Sequence, residues 1–307
     1  MHEVASAPGR AWAQGVTPSD LFRIVPLTAI LVLAANAFSP IAAQAQSEDW
    51  RVAWNRPVEP FRVVGNVYYV GVANVTSILI ATPEGHILLD GGFPESAPPI
   101  AAAIAKLGFR IEDVKVLLSS HAHADHAGGL AELKRLSGAR LYAGAADVPS
   151  LAAGGKGDFR WGDSLPFPPV VADVAVEDGA TVELGGVTLV AHHTPGHTRG
   201  NLTWTLRVQD GGRMLDVVIA GSMSAPGYKL AGAGESYPGI AADFAKSLAM
   251  LKALPCDVYL TLHGHEFGLN AKRERLAAGA MENPFADPAG YRDWLARAET
   301  ALVAQMK

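Results

Sequence analysis

The chain has 307 residues, 49% of them hydrophobic, with a formal net charge of −5. That length and apolar content can bury a large core, in one domain or in two. A sequence pI near 6.0 and the lack of any Lys/Arg block leave nucleic-acid binding without electrostatic support.

The first 45 residues read as a signal peptide. Arg10 and Arg23 precede an apolar run, IVPLTAILVLAANAF (24–38), and Ala43-Gln44-Ala45 offers a small-x-small cleavage site. Cleavage after Ala45 would leave a mature chain, residues 46–307, in the periplasm and without stable membrane insertion. The alternative is an uncleaved anchor, for which the run is short. Cys256 is the only cysteine, so no intramolecular disulfide can form. Its place before an apolar strand suits a small core residue.

From residue 61 the pattern is a series of strands, FRVVGNVYYVGV, VTSILIAT and HILLDGG, separated by turns with Asn, Gly and Pro. A helix is expected over 96–108. VKVLLSS (114–120) is a continuous apolar run that suits a buried strand. AGGLAELKRLSG then has helical spacing and a glycine stop. The stretch 151–169, rich in Gly and Pro, reads as a long loop. Strands follow at 181–193, 201–208 and 214–221, then a helix at 240–254, a strand at 256–263 and a capped terminal helix at 287–306. This two-half echo suits two sheets packed face to face with helices outside.

HAHADH, at 121–126, holds three of the chain's ten histidines. Imidazole and carboxylate are good ligands for zinc and similar ions. In an extended turn His121 and His123 can face one ion, while Asp125 and His126, at a helix start, can face a second. Gly128 and Gly129 keep the backbone slim there. Two catalytic ions need about six ligands, so others must come from His86, His192, His193, His197, His263 or His265. HHTPGHTRGN and LTLHGHEFG place several of these at strand ends on the same rim.

These motifs resemble the metallo-β-lactamase superfamily, over about residues 60–305. The resemblance implies an α/β fold, a four-layer αβ/βα sandwich, in a single domain, with two Zn²⁺ per chain. Carried over residue by residue, it assigns His121, His123 and His197 to the first zinc and Asp125, His126 and His263 to the second. His263 is preferred to His265 because it directly follows the apolar strand. His192 and His193 are read as packing residues, and Asp90 as a hydrogen-bonding turn residue. Glyoxalase II and the lactonases of this fold carry a bridging Asp after the strand that here ends in Gly221; this chain has Ser222. Subclass B1 has a cysteine there, and subclass B2 has Asn in place of His121. SMSAPGY (222–228) and the entry to the terminal helix are most similar to subclass B3. Arg199 and Asn201 depart from that group's usual Pro and Ser.

The activity so implied is zinc-dependent hydrolysis of a β-lactam amide by a metal-held hydroxide, conferring resistance to penicillins, cephalosporins and carbapenems. Asp125 would also orient the nucleophile, and Ser222 and Ser224 would bind the substrate carboxylate. Phe159, Trp161 and Phe167 are candidates to cover the ring. The substrate is a small molecule, and no protein partner is implied. The alternatives are an exported lactone or thioester hydrolase of the same fold, or a non-catalytic zinc-binding envelope protein.

Overall fold

Alternating burial turns the first strand series into a sheet, seen in a computed structural model that describes residues 50–306. The expected signal peptide, residues 1–45, and its cleavage after Ala45 fall outside the described residues. β1 (Phe61–Val64), β2 (Val67–Tyr69), β3 (Ile78–Thr82) and β4 (Gly85–Leu89) pair antiparallel in chain order. β5 (Val114–Ser119), β6 (Arg140–Gly144) and β7 (Val174–Val176) then add in parallel, giving seven strands. The second sheet has the order β12-β11-β10-β9-β8. Its strands are β8 (Thr181–Leu184), β9 (Val187–His193), β10 (Leu202–Asp210), β11 (Arg213–Ala220) and β12 (Val258–Thr261). Only β12 joins in parallel.

Ile78, Ile80, Ile87, Leu89 and Leu118 of the first sheet share one core with Trp204, Leu206, Val217, Ile219 and Leu260 of the second. The intervening residues of the first sheet, Leu79, Leu88 and Leu117, pack in another core. There they meet Ile100 and Ile104 of α1 (Ala97–Lys106), with Leu130 and Leu133 of α3 (Leu130–Ser137). A strand covered on both faces must be apolar there, which is why β5 beyond the exposed Lys115 reads as the run Val116, Leu117, Leu118. Phe244 of α5 (Ile240–Ala253) and Trp294 of α7 (Pro288–Gln305) belong to the inter-sheet cluster along with Tyr259. The layers are therefore helix, sheet, sheet, helix, as the resemblance implies. Asp287 caps α7, its carboxylate accepting from Gly290 N at 2.8 Å.

Several elements were not legible. β6 and β7 are short, and α6 (Leu269–Ala277, LNAKRERLA) is polar nearly all round. α4 (Val148–Ala153) also enters the stretch read as loop, so the loop proper begins at Gly154. A four-residue helix, α2 (Ala124–Ala127), lies within HAHADH and the alanine after it.

The exits of β4, β5, β9 and β12 meet on one rim. Leu202 N donates to Ser120 O at 2.9 Å, and Gly91 N to His126 O at 2.8 Å. Val75 and His263 form an isolated antiparallel bridge. A Cβ on Gly128 would run into Pro94, and one on Gly129 into the carbonyl of Gly91. The histidine turn can lie flush on the β4 exit only because both residues are glycine.

Candidate metal centre

His123 is extended, with φ −106° and ψ 156°, and the next residue starts α2. His121 and His123 therefore precede the helix, while Asp125 and His126 sit in its single turn. Ring centroids of His121 lie 4.8 Å from His123 and 4.7 Å from His197; those of His123 and His197 are also 4.7 Å apart. One nitrogen from each of these three falls within 4.8 Å of the others, and the same holds for a nitrogen of His121, a carboxylate oxygen of Asp125 and a nitrogen of His126. His263 closes the second group, with Nε2 3.7 Å from Asp125 Oδ2 and its ring 5.0 Å from that of His126.

The hydrogen bonds fix which nitrogen of each ring carries the proton. His197 Nδ1 donates to Ser224 O at 2.7 Å, and His263 Nδ1 to Asn74 O at 3.3 Å. His123 Nε2 donates to Asp158 Oδ2 at 3.3 Å. Ser120 Oγ donates to Asp90 Oδ2 at 2.6 Å, so it can accept from His121 Nδ1 at 3.1 Å. Each ring thus turns its other nitrogen, a lone pair, inward. His123 Nδ1 and His197 Nε2 meet at 3.0 Å, where two lone pairs repel unless a cation lies between them. His121 Nε2 and both nitrogens of His126 are buried with no hydrogen-bond partner. Asp90 Oδ2 is 3.3 Å from His126 Nδ1 but lacks hydrogen-bond alignment. Buried polar atoms without partners are costly, and a metal ion would satisfy this set. The residues present fit one.

Titration tells the same story. Burial pushes His121 and His197 well below the usual range, and the neighbouring imidazoles push further. Burial, then His126, bring His263 down to about 4. Burial also acts against charge on His126, but Asp125 and then Asp90 outweigh it and lift that ring to about 10. Burial would raise Asp125; His126 and His263 overrule it and hold the carboxyl far below its ordinary value.

Of the other described histidines, three lie apart from the cluster and His265 stacks beside His263, ring centroids 5.8 Å apart. His86 is buried against Phe109, His192 bonds Thr205 Oγ1, and His193 donates to Arg199 O. His265 is exposed and held by Asn74. Ser222 is buried at 3% exposure, its hydroxyl 3.1 Å from Ser224 Oγ, whereas Ser224 is exposed. Phe167 does not cover the site: it is buried with Leu151 in the core beneath the helices. Phe159 packs on Tyr228 and Tyr237, and Trp161 lies under the Arg160 guanidinium.

Several residues escaped sequence reasoning. Asp147 clamps two ligand turns, accepting from Ala122 N, Thr198 Oγ1 and Gly200 N at 3.0, 2.6 and 2.8 Å. Asn201, singled out in the sequence only as a departure from the group's pattern, ties the His197 turn to Ser222 N and O. Trp54 lies against His263, centroids 5.1 Å apart. None carries a local signal beyond its residue type. The 440 Å³ groove over Thr188, Val190 and Thr205 lies on the second sheet, away from this chemistry.

Residues 70–265 match the family described as the Metallo-beta-lactamase superfamily. The chain belongs to that superfamily. Among solved structures, it is similar to a Cronobacter sakazakii metallo-β-lactamase with a HARLDQ motif. Identity is 44% and TM-score 0.79, covering 83% of this chain and 98% of that one. Set against HARLDQ, HAHADH keeps the first His and the Asp and has His at the third and sixth places. A subclass B3 metallo-β-lactamase of Bradyrhizobium japonicum is 38% identical at TM-score 0.78, covering 82% of this chain and 95% of that one. A curated relative, the hydroxyacylglutathione hydrolase of Pseudomonas paraeruginosa, is 33% identical over 187 residues, 60% of this chain. The match spans 59% of that relative's length. The structural likeness is thus to subclass B3 enzymes, and the chain is a hydrolase of this superfamily.

Proposed function

We propose that this hydrolase opens β-lactam rings with two zinc ions, acting in the periplasm after loss of residues 1–45 and conferring resistance to those antibiotics. The observation that carries the reading is the convergence of two ligand sets beside a serine turn. His121, His123 and His197 would hold the first zinc; Asp125, His126 and His263 would hold the second. Six ligands divided over two ions leave positions open, which suits catalysis and not a structural site. Bound zinc would lower the pKa of water to about 7 and polarise a carbonyl oxygen.

The chain's own residues do the rest. The outward bonds to Ser224 O, Asn74 O, Asp158 and Ser120 hold four imidazoles in the ligating tautomer. Asp125, partly exposed, accepts a hydrogen bond from the attacking water and so aims its oxygen. Ser224 donates to the substrate carboxylate, with Ser222 beneath it fixing the hydroxyl. Water adds across the amide: a C–O bond forms, the C–N bond breaks, and the products are a carboxylate and an amine. No acyl-enzyme is required. Trp54 supplies an apolar wall beside His263.

A second reading, a thioester hydrolase, is favoured by the likeness to the hydroxyacylglutathione hydrolase. Against it stands Ser222, where that group's bridging carboxylate is expected. The test uses the chain from Gln46 with zinc, given a penicillin, a cephalosporin, a carbapenem and a hydroxyacyl-glutathione thioester, with and without chelator. Chelator-sensitive β-lactam turnover is expected. Thioester turnover alone would replace the first reading with the second.

A further inference from the structure

Gly154 to Pro166 is a loop whose tip touches the metal centre through one carboxylate. Asp158 Oδ2 lies 3.3 Å from His123 Nε2, with the two side chains only 9% and 10% exposed. The other oxygen, Oδ1, accepts from Arg160 N at 2.8 Å and Trp161 N at 2.7 Å. Backbone bonds between residues 158 and 162, at 3.3 and 2.9 Å, close the same turn. One carboxylate therefore builds the aromatic tip with one oxygen and grips a ligand imidazole with the other. An amide could not do both. Its single acceptor oxygen would serve the turn, and its NH₂ would then face the His123 N–H, donor against donor.

The tip is fastened twice more. Arg160 Nε donates to Pro226 O at 3.0 Å, and Phe159 stacks edge-on against Tyr228 at 5.2 Å. Tyr228 in turn donates to His197 O at 2.9 Å. Two of the three fastenings thus end on ligands of the first set, and neither passes through the second.

We propose that Asp158 is a positioning residue that couples the closed position of the loop tip to metal affinity at His121, His123 and His197. A carboxylate accepting from the far nitrogen of a ligand histidine fixes its tautomer and raises its basicity. Coupling is reciprocal: whatever the tip does to the metal, the metal does to the tip. The inference rests on the metal centre of the proposed function, but not on the identity of the substrate.

The test reads metal, not activity. Metal-free protein is titrated with zinc against a chromogenic chelator, and with cobalt for its absorption spectrum. Asp158→Asn is expected to weaken one of the two metal equivalents about 10- to 100-fold, to alter that equivalent's cobalt bands, and to leave the other unchanged. Asp158→Glu, which keeps both acceptors, is expected to recover part of the loss. In the reverse direction, zinc should slow tryptic cleavage after Arg160 in the wild type and fail to do so in Asp158→Asn. The double variant Phe159→Ala/Arg160→Ala, which alters no ligand contact, should weaken the same equivalent by roughly fivefold or more. Retained secondary structure and the unchanged second equivalent separate these effects from misfolding. Wild-type affinity and cobalt spectrum in Asp158→Asn would overturn the proposal. So would equal protection of the Arg160 bond in both proteins. A wild-type chain that takes up no metal would remove the metal centre itself, and the tether with it.

Discussion

The two halves of the metal centre are built on opposite electrostatic plans. His121, His123 and His197 form a set with no acid among the ligands, and burial holds His121 and His197 neutral. Asp125, His126 and His263 include an ion pair, with His126 Nε2 3.3 Å from Asp125 Oδ2. The second set therefore favours a proton: burial opposes charge on His126, yet Asp125 and Asp90 lift it to about 10. In the first set His123 Nδ1 and His197 Nε2 face each other at 3.0 Å, a gap that a proton or a metal ion can bridge. Imidazoles that burial keeps neutral, His121 and His197, are ready for a cation at neutral pH; a site with its own ion pair must first release a proton.

The largest effect should come from the residue where the two halves meet. His121 belongs to the first set, and its ring also lies within reach of Asp125 and His126 of the second. His121→Ala is expected to lower kcat/KM on the order of a thousandfold, corresponding to the several kcal/mol that metal-held charge stabilisation supplies. Bound metal, measured by mass spectrometry of the native protein, should fall with it. His265→Ala, two residues beyond His263 and exposed, should retain both ions and stay within a few-fold of wild type. Equal losses in the two variants would mean that the ligand assignment is wrong.

Stability of the metal-free protein should sharpen the contrast. His263 is lowered from 6.5 to about 4 in the fold. As pH falls, the unfolded chain takes the proton first, so the contribution is full above 6.5 and lost as pH falls through 4. At 1.36 kcal/mol per unit this amounts to about 3 kcal/mol. His121 and His197 act in the same direction. His126 has the opposite sign: its contribution is full below 6.5 and fades as pH rises through about 10. Urea unfolding of metal-free protein at pH 7.5, 5.5 and 3.5 should show the loss, and His263→Gln, which does not titrate, should lack about 3 kcal/mol of it. A variant that loses as much as the wild type would remove this account.

The halves should also differ in how metal binding responds to pH. Filling the second set displaces the proton from His126, so affinity for that equivalent should rise roughly tenfold per pH unit between 6.5 and 8.5. In the first set burial leaves His121 and His197 without a proton to release, and the affinity of that set should change less. Zinc titrations by calorimetry in buffers of different ionisation enthalpy would count the protons. Two equivalents with the same slope would erase the distinction drawn between the sets.

What was legible follows from how far apart the interacting residues lie in the chain. HAHADH carries four candidate ligands within one turn. Spacing and strand pattern left six further histidines open, and the resemblance to the family singled out His197, in the turn TPGHT, and His263, which directly follows an apolar strand. The partners that orient these ligands do not announce themselves. Asn74 reaches His263 across 189 residues, Asp147 reaches Thr198 across 51, and Asp158 reaches His123 across 35. Each is an ordinary loop polar residue until the chain folds. Phe167 shows the limit from the other side: an aromatic residue between prolines looks the same whether it lids a site or plugs a core. β5 was legible because Val116, Leu117 and Leu118 are consecutive, apolar and buried, so both faces of the strand are covered. α6 was not, because its residues have no apolar stripe.

The serine turn extends the comparison from metal to substrate, with the smallest expected effect. Ser222 and Ser224 are two residues apart and within hydrogen-bond reach at 3.1 Å, yet one is buried and the other exposed. Only Ser224 can meet a carboxylate directly. A hydrogen bond to a charged group is worth about 1.5 kcal/mol at the low end of its range, and the exposure of Ser224 places it there. Ser224→Ala should therefore raise KM about tenfold with kcat little changed, since the bond is made equally in the ground and transition states. Ser222→Ala removes a bond within the turn, where Ser222 Oγ also accepts from Ser224 N at 3.3 Å. It should cost stability, measured by thermal unfolding, more than it costs KM. If the two variants exchange these effects, the buried hydroxyl is the one that turns toward substrate, and the turn must open for binding.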